Sequence, residues 1–197
     1  MERTKRMMVT LLIILVLTAI IWIVLSVVVS KTGSEKIAFI GEDGDYKALI
    51  VYDPDPIYNL DELISIAFAE GLTESRWESK IATVAAATKI KQPFDLYVLC
   101  ANTYNWAPDK AIRNYIKGNK HLKGSKVVAI TLGSGATIRS QRLLEELIIE
   151  KQAILIESKS FWLIKPNNES KTKRSNRKIA IEMANDFGKE IAKKLEN

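Results

Sequence analysis

The residues best placed to do chemistry in this chain lie in one short loop. "VYDPDPIYN", residues 51–59, sets Asp53 and Asp55 two residues apart, with Pro54 and Pro56 beside them. Two carboxylates at that spacing suit an oxygen-ligated Mg²⁺ or Ca²⁺. They equally suit a loop start in which Asp53 bonds its own backbone, the commoner use of such residues. Neither proline carries an amide hydrogen, so the stretch is short of donors for an anion. Reactive groups are few elsewhere. Cys100 is the one cysteine, which leaves no internal disulfide and no thiolate metal cluster. His121, the one histidine, sits in the polar run "GNKHLKG", where a solvated loop position is the ordinary reading. No nucleophile–base pair can be assembled from these parts, which sets hydrolase chemistry aside.

The elements that must position these residues follow from periodicity. The chain has 197 residues, 47% apolar and 26% charged, enough for one globular domain and an appendage. A formal charge of +6 is compatible with an anionic partner but too modest to indicate nucleic-acid binding. The appendage comes first. Met7 to Ser30, "MMVTLLIILVLTAIIWIVLSVVVS", contains no charge. As a helix it reaches roughly 36 Å, enough to cross a hydrocarbon core of about 30 Å. It is too long for a signal h-region, so a retained single-pass anchor is expected. Arg3, Lys5 and Arg6 crowd one flank, and Lys31 and Lys36 are more diluted on the other. That balance keeps the N-terminus in the cytoplasm and sends the remainder out. "NES" at 168–170 is a glycosylation acceptor that fits this side without deciding it. The expected division is a basic flank at 1–6, the anchor at 7–30, a stalk or edge hairpin at 31–46 and a domain at 47–197.

Within the domain, β-rich runs at 47–52, 95–101, 126–132 and 153–156, with a fainter one at 77–85, alternate with helical patterns. Asn59, with Glu62 three residues on, is expected to cap the first helix, and Gly71 to end it. Pro108 and Gly118 bracket the next, with Ala111, Ile112, Tyr115 and Ile116 inward. Leu143, Leu144, Leu147 and Ile148, then Ala180, Met183, Ala184, Phe187, Ile191 and Leu195, mark the inner faces of the last two. Nearly continuous apolar strands between helices predict an α/β, doubly wound parallel five-stranded sheet covered on both faces. Its ligand crevice should lie beyond the carboxyl ends of the strands.

The run "DLYVLCANTYNWAPDKAIRNYIKG", followed by "LKGSKVVAITLGSGA" and closed by "MANDFGKEIAKKL", resembles the flavodoxin-like family over about residues 47–197. The resemblance implies the strand order 2-1-3-4-5 and an FMN engaged in one- or two-electron transfer. It also implies a cofactor site made of Asn102, Thr103, Tyr104, Asn105 and Trp106 in one loop and Gly133, Ser134 and Gly135 in another. Tyr104 and Trp106 would stack on the flavin, Asn102 and Thr103 would reach its edge, and the small residues would let the main chain approach. No metal ligand and no catalytic side chain are expected.

The first loop departs from the family. Flavodoxins place Ser-x-Thr-Gly-x-Thr there, whose hydroxyls and amides wrap the phosphate. Asp53 and Asp55 would instead repel it, by about 1 kcal/mol per charge pair at ~4 Å in water and several-fold more in a crevice. Two readings of function therefore stand. One is a membrane-anchored electron-transfer protein with FMN and a protein redox partner. The other is a cofactor-free binding or scaffold module that has lost the FMN phosphate site. The basic run Lys171, Lys173, Arg174, Arg177 and Lys178 is read as a solvated loop, or as a receiver for an acidic partner, lipid headgroups or a displaced phosphate.

Overall fold

The structure, a computed structural model, describes residues 2–29, 33–171 and 174–196. The chain divides into two compact units, Met1–Lys31 and Thr32–Asn197. The first is a single helix, α1 (Glu2–Val29), whose apolar side chains from Met7 to Val28 lie exposed. The stretch Arg3–Val28 is long and apolar enough to cross a membrane. Thr10 and Thr18 satisfy their hydroxyls within the helix, on the carbonyls of Arg6 and Ile14.

The second unit contains β1 (Ile37–Ile40), β2 (Tyr46–Tyr52), α2 (Leu60–Thr73), β3 (Trp77–Thr83), α3 (Val84–Ala87), β4 (Leu96–Tyr104) and β5 (Ala107–Pro108). After them come α4 (Lys110–Gly118), β6 (Lys126–Gly133), α5 (Ile138–Glu150), β7 (Ile154–Trp162) and α6 (Asn176–Glu196). The sheet runs β1-β3-β2-β4-β6-β7, and along that path every pairing after β1–β3 is parallel, while β5 pairs antiparallel with β4 off the path. Without β1, this is the order 2-1-3-4-5. The segment anticipated as a stalk or edge hairpin contains β1, which pairs antiparallel with β3 and not with its neighbour β2, so it makes no hairpin. β7 extends to Trp162, beyond the run at 153–156, because its later residues stay in register with β6 up to Gly133.

Alternation along each strand divides the core. Ala48, Ile50, Tyr52, Val98 and Ile130 pack with α2 and α6 on one face. Leu49, Val51, Tyr97, Leu99 and Ala129 pack with α3, α4 and α5 on the other. Burial on both faces is why the strands read as unbroken apolar runs. Both clusters are drawn entirely from the second unit, which therefore has its own core, as a domain that folds alone must.

Gly71 does not end α2. It lies inside the helix, facing Gly188 of α6, where an added Cβ would meet the Asn185 carbonyl at 2.0 Å. At Gly188 an added Cβ would meet the Phe68 carbonyl at 2.2 Å. The two glycines let the helix backbones nearly touch, and Phe68 and Phe187 meet edge-on beside them at 5.4 Å.

Candidate functional site

β3 lies on one side of β2 and β4 on the other, so the winding reverses between β2 and β4, and a crevice opens at their carboxyl ends. The loop leaving β2 forms one wall. Its anticipated self-bonding carboxylate is Asp55, not Asp53. Asp55 Oδ1 accepts the amides of Ile57 at 2.7 Å and Tyr58 at 2.9 Å, folding an Asx turn around Pro56. Its Oδ2 accepts the Tyr104 hydroxyl at 2.6 Å. Asp53 is buried and accepts the Gly33 amide at 3.1 Å.

Two further carboxylates, which carried no signal in the sequence, complete the arrangement. Asp61, fully buried in the first turn of α2, accepts the amides of Asp55 at 2.5 Å and Glu62 at 2.8 Å. It displaces the expected cap. Asn59 adopts a left-handed conformation (φ 49°) and makes no capping bond, because the loop it closes is already held by Asp55 and Asp61. Asp109, also buried, caps α4 by accepting the Ile112 amide at 2.8 Å, and takes the Asn102 amide at 2.9 Å with its other oxygen. Asn102 ties the set together, donating its side-chain amide to the Asp53 carbonyl at 3.0 Å and to Asp61 at 2.9 Å. Its side-chain amide hydrogens are therefore used within the protein.

The other anticipated site residues divide by position. Asn102, Thr103, Tyr104, Gly133 and Ser134 line one cavity with Asp55, Tyr58 and Leu163, and its volume is about 160 Å³. Gly133 is required by contact, since an added Cβ would meet Thr137 Cγ2 at 2.8 Å. The Ser134 carbonyl accepts the amides of Ile164 and Lys165, binding this loop to the end of β7. Gly135 lies against Lys165 and does not line the cavity. Asn105 and Trp106 are outside it too. They form the two-residue turn of the β4–β5 hairpin, with φ of 51° and 59°. Positive φ at both central residues is a type I′ turn, the setting for Asn-Gly. Tryptophan in the second position hides that signature in the sequence and leaves the indole more than half exposed. Of the basic run, Arg174 is held by Glu182, while Lys173 falls outside the described residues.

Burial dominates the electrostatics. It raises the carboxyls of Asp53 and Asp61 above their ordinary range, and Asp109 to about 7 against the pull of its amide donors. It also lifts the Tyr104 hydroxyl, helped by the adjoining Asp55 carboxylate. The Cys100 thiol, fully buried, is pushed well up and is inert. Among the described residues, no group of three or more His, Cys, Asp or Glu is disposed to hold a metal ion.

The raised carboxyls have a consequence for stability. Between the ordinary carboxylate range and about pH 7 the folded state binds more protons than the unfolded one, so stability must fall as pH rises through that window. The slope is at most about 1.4 kcal/mol per pH unit for each group. Melting curves between pH 4 and 8 should show Asp109→Asn with a flatter profile and a lower melting point at the acid end, because its NH2 cannot accept one of the two amides that the carboxyl oxygens take. A variant that tracks wild type at every pH would remove the protonated Asp109 from the account.

The loop after β2 is not built as a cradle for the phosphate of FMN, the cofactor that the resemblance implies. The amides of Ile57 and Tyr58 that would face its phosphate are already spent on Asp55, which adds a negative charge at the same point. The cavity beside them is smaller than the roughly 300 Å³ at which ligand pockets begin.

No protein-family model and no curated protein matches this chain. Solved structures do. A flavodoxin from the domain Archaea aligns with a TM-score of 0.52 and 11% identity, over 77% of this chain and 99% of its own. Oxidised flavodoxin 1 from Bacillus cereus aligns with 0.53 and 16%, over 75% and 97%. The rubredoxin oxygen:oxidoreductase of Desulfovibrio gigas aligns with 0.55 and 13%, over 79% of this chain and 38% of that one. At such identities the shared property is the arrangement of the backbone, and this chain is a flavodoxin-like α/β fold preceded by one long apolar helix.

Proposed function

We propose that this chain is a flavodoxin-fold module tethered by α1 to a membrane, with its N-terminus cytoplasmic, and that it docks a protein partner at the crevice edge without carrying FMN. The observation behind the reading is the Asp55 carboxylate, which takes two backbone amides and the Tyr104 hydroxyl where a phosphate would need them. The edge itself supplies a docking face. Ile57, Tyr58, Trp106 and Ile164 lie in the loops at the carboxyl ends of the strands and Ile138 begins α5 beside them, each more than half exposed. Trp106 is held there in a backbone conformation that costs a bulky residue about 1–3 kcal/mol, and strain of that kind persists at working surfaces.

That strain makes Trp106→Gly informative. The variant restores the residue that a type I′ turn favours and should raise the melting temperature by a few degrees. A photo-crosslinking residue at Ile164 should capture a protein partner in the native membrane, and Trp106→Gly should remove the adduct. Absence of any adduct would count against docking.

A second reading, FMN-dependent electron transfer, is favoured by the fold it shares with flavodoxins and by Tyr104 and Trp106 beside the crevice. There the ring would lie between residues 102–106 and 133–135. Titration of FMN and of riboflavin separates the two. Docking without cofactor predicts no quenching of either flavin, and quenching of both would favour the electron-transfer reading.

A further inference from the structure

The face of the sheet opposite α2 and α6 is unevenly covered. α3 is a single turn, and the chain then returns to β4 with no further helix. Between α3 and α4 this leaves a groove of about 600 Å³, within the range of ligand sites. Its floor is small and apolar, formed by Val84, Ala87 and Ala111, with Tyr115 buried in the wall and its hydroxyl taken by Asn119 at 2.8 Å.

The rim has the opposite character. Lys91, Lys120 and His121 line it, and no acidic residue does. Positive charge extends well past the groove. Residues 110–142 contain eight lysines and arginines and no aspartate or glutamate. Among the described residues, none of these eight enters an ion pair, and Lys91 has only a 3.5 Å contact to the Thr88 carbonyl. Lys120 and His121 lie in the connection into the start of β6, at the end of the sheet away from the crevice.

We propose that this groove binds a small amphipathic anion, an acyl chain ending in a carboxylate or phosphate head. The chain would cover the apolar floor and the head would meet the unpaired cations. A neutral apolar ligand leaves the rim unused, and a wholly polar anion leaves the floor wet. His121, read from the sequence as a solvated loop residue, becomes one of the groups facing the head.

Calorimetric titration of the isolated domain tests this with decanoate, decyl phosphate and decanol, melting curves confirming the fold of each variant. Decanoate or decyl phosphate should bind about tenfold or more tightly than decanol, and comparison of the two anions identifies the head group. Reversing the rim with Lys91→Glu and Lys120→Glu should weaken the anions and leave decanol unchanged. Gly118→Phe should abolish binding. Gly118 lines the groove and an added Cβ there meets nothing within 4 Å, so the substitution places a ring at the mouth without disturbing the core. Equal affinity for decanol, no binding of either anion, or undiminished binding in Gly118→Phe would each overturn the proposal. None of these outcomes bears on the crevice, where Trp106→Gly reports separately.

Discussion

Asp55→Ser gives the domain a grip on phosphate that wild type lacks. The substitution frees the amides of Ile57 and Tyr58, adds a hydroxyl, and removes a negative charge from the point where the loop turns. Each freed donor is worth about 1.5–3 kcal/mol to a charged acceptor. The deleted carboxylate removes repulsion of about 1–4 kcal/mol per unit charge at ~4 Å, depending on how far water screens it. Together these should tighten FMN at least about a hundredfold relative to riboflavin, which has the same ring and no phosphate. The FMN-to-riboflavin affinity ratio is the quantity to measure, because it cancels changes in ring stacking. Wild type should show no preference for FMN, since it should quench neither flavin. A wild-type protein that already prefers FMN strongly, or an Asp55→Ser variant whose ratio does not move, would show that the loop does not control phosphate. Asp53 is the wrong target for this experiment, since its carboxylate holds the Gly33 amide and its carbonyl holds Asn102.

The largest effect on stability should come from Gly188→Ala. A methyl group there would sit 2.2 Å from the Phe68 carbonyl, far inside contact distance, and the obstacle is backbone that cannot rotate away. α2 and α6 must separate, which loosens the Phe68–Phe187 contact and the cover of a whole sheet face. Overpacking of this kind costs about 1–3 kcal/mol or more, and for a domain of this size about 2–4 °C of melting temperature per kcal/mol. Gly71→Ala should cost a similar amount. The double variant should cost less than the sum, because separating the helices once relieves both clashes. Gly118→Ala is the control. It lies in open space near a helix end and should be neutral or slightly stabilising. Glycine substitutions at 71 and 188 that melt with wild type would mean the helices are not locked at this crossing.

These two loci also show where reading a sequence stops. The alternation of apolar strands with amphipathic helices carries the layer order, because burial on both faces must be written into each strand as a continuous run. The inward faces of α4 and α6 were legible for the same reason. Ala111, Ile112, Tyr115 and Ile116 are all buried, as are Ala180, Ala184, Phe187 and Ile191, while Met183 and Leu195 pack half-buried at the margin of the core. Gly71 misled because a glycine near the end of a periodic run has two uses, termination and close approach. Only the position of α6, more than a hundred residues on, distinguishes them.

The crevice divides in the same way. Residue types along the chain were enough to show a loop after β2 with excess negative charge and too few amides, and aromatic and glycine loops beside it at the carboxyl edge. Local sequence also determined a helix long enough to span a bilayer, since that requires only length and the absence of charge. Which carboxylate would turn on its own loop, and that Asp61 and Asp109 would be buried beneath it around Asn102, was decided by tertiary structure. A hydrogen bond between residues some forty positions apart leaves no periodic trace. It exists only once the parallel sheet has brought the ends of β2 and β4 side by side, where low dielectric makes each buried polar group depend on its neighbours.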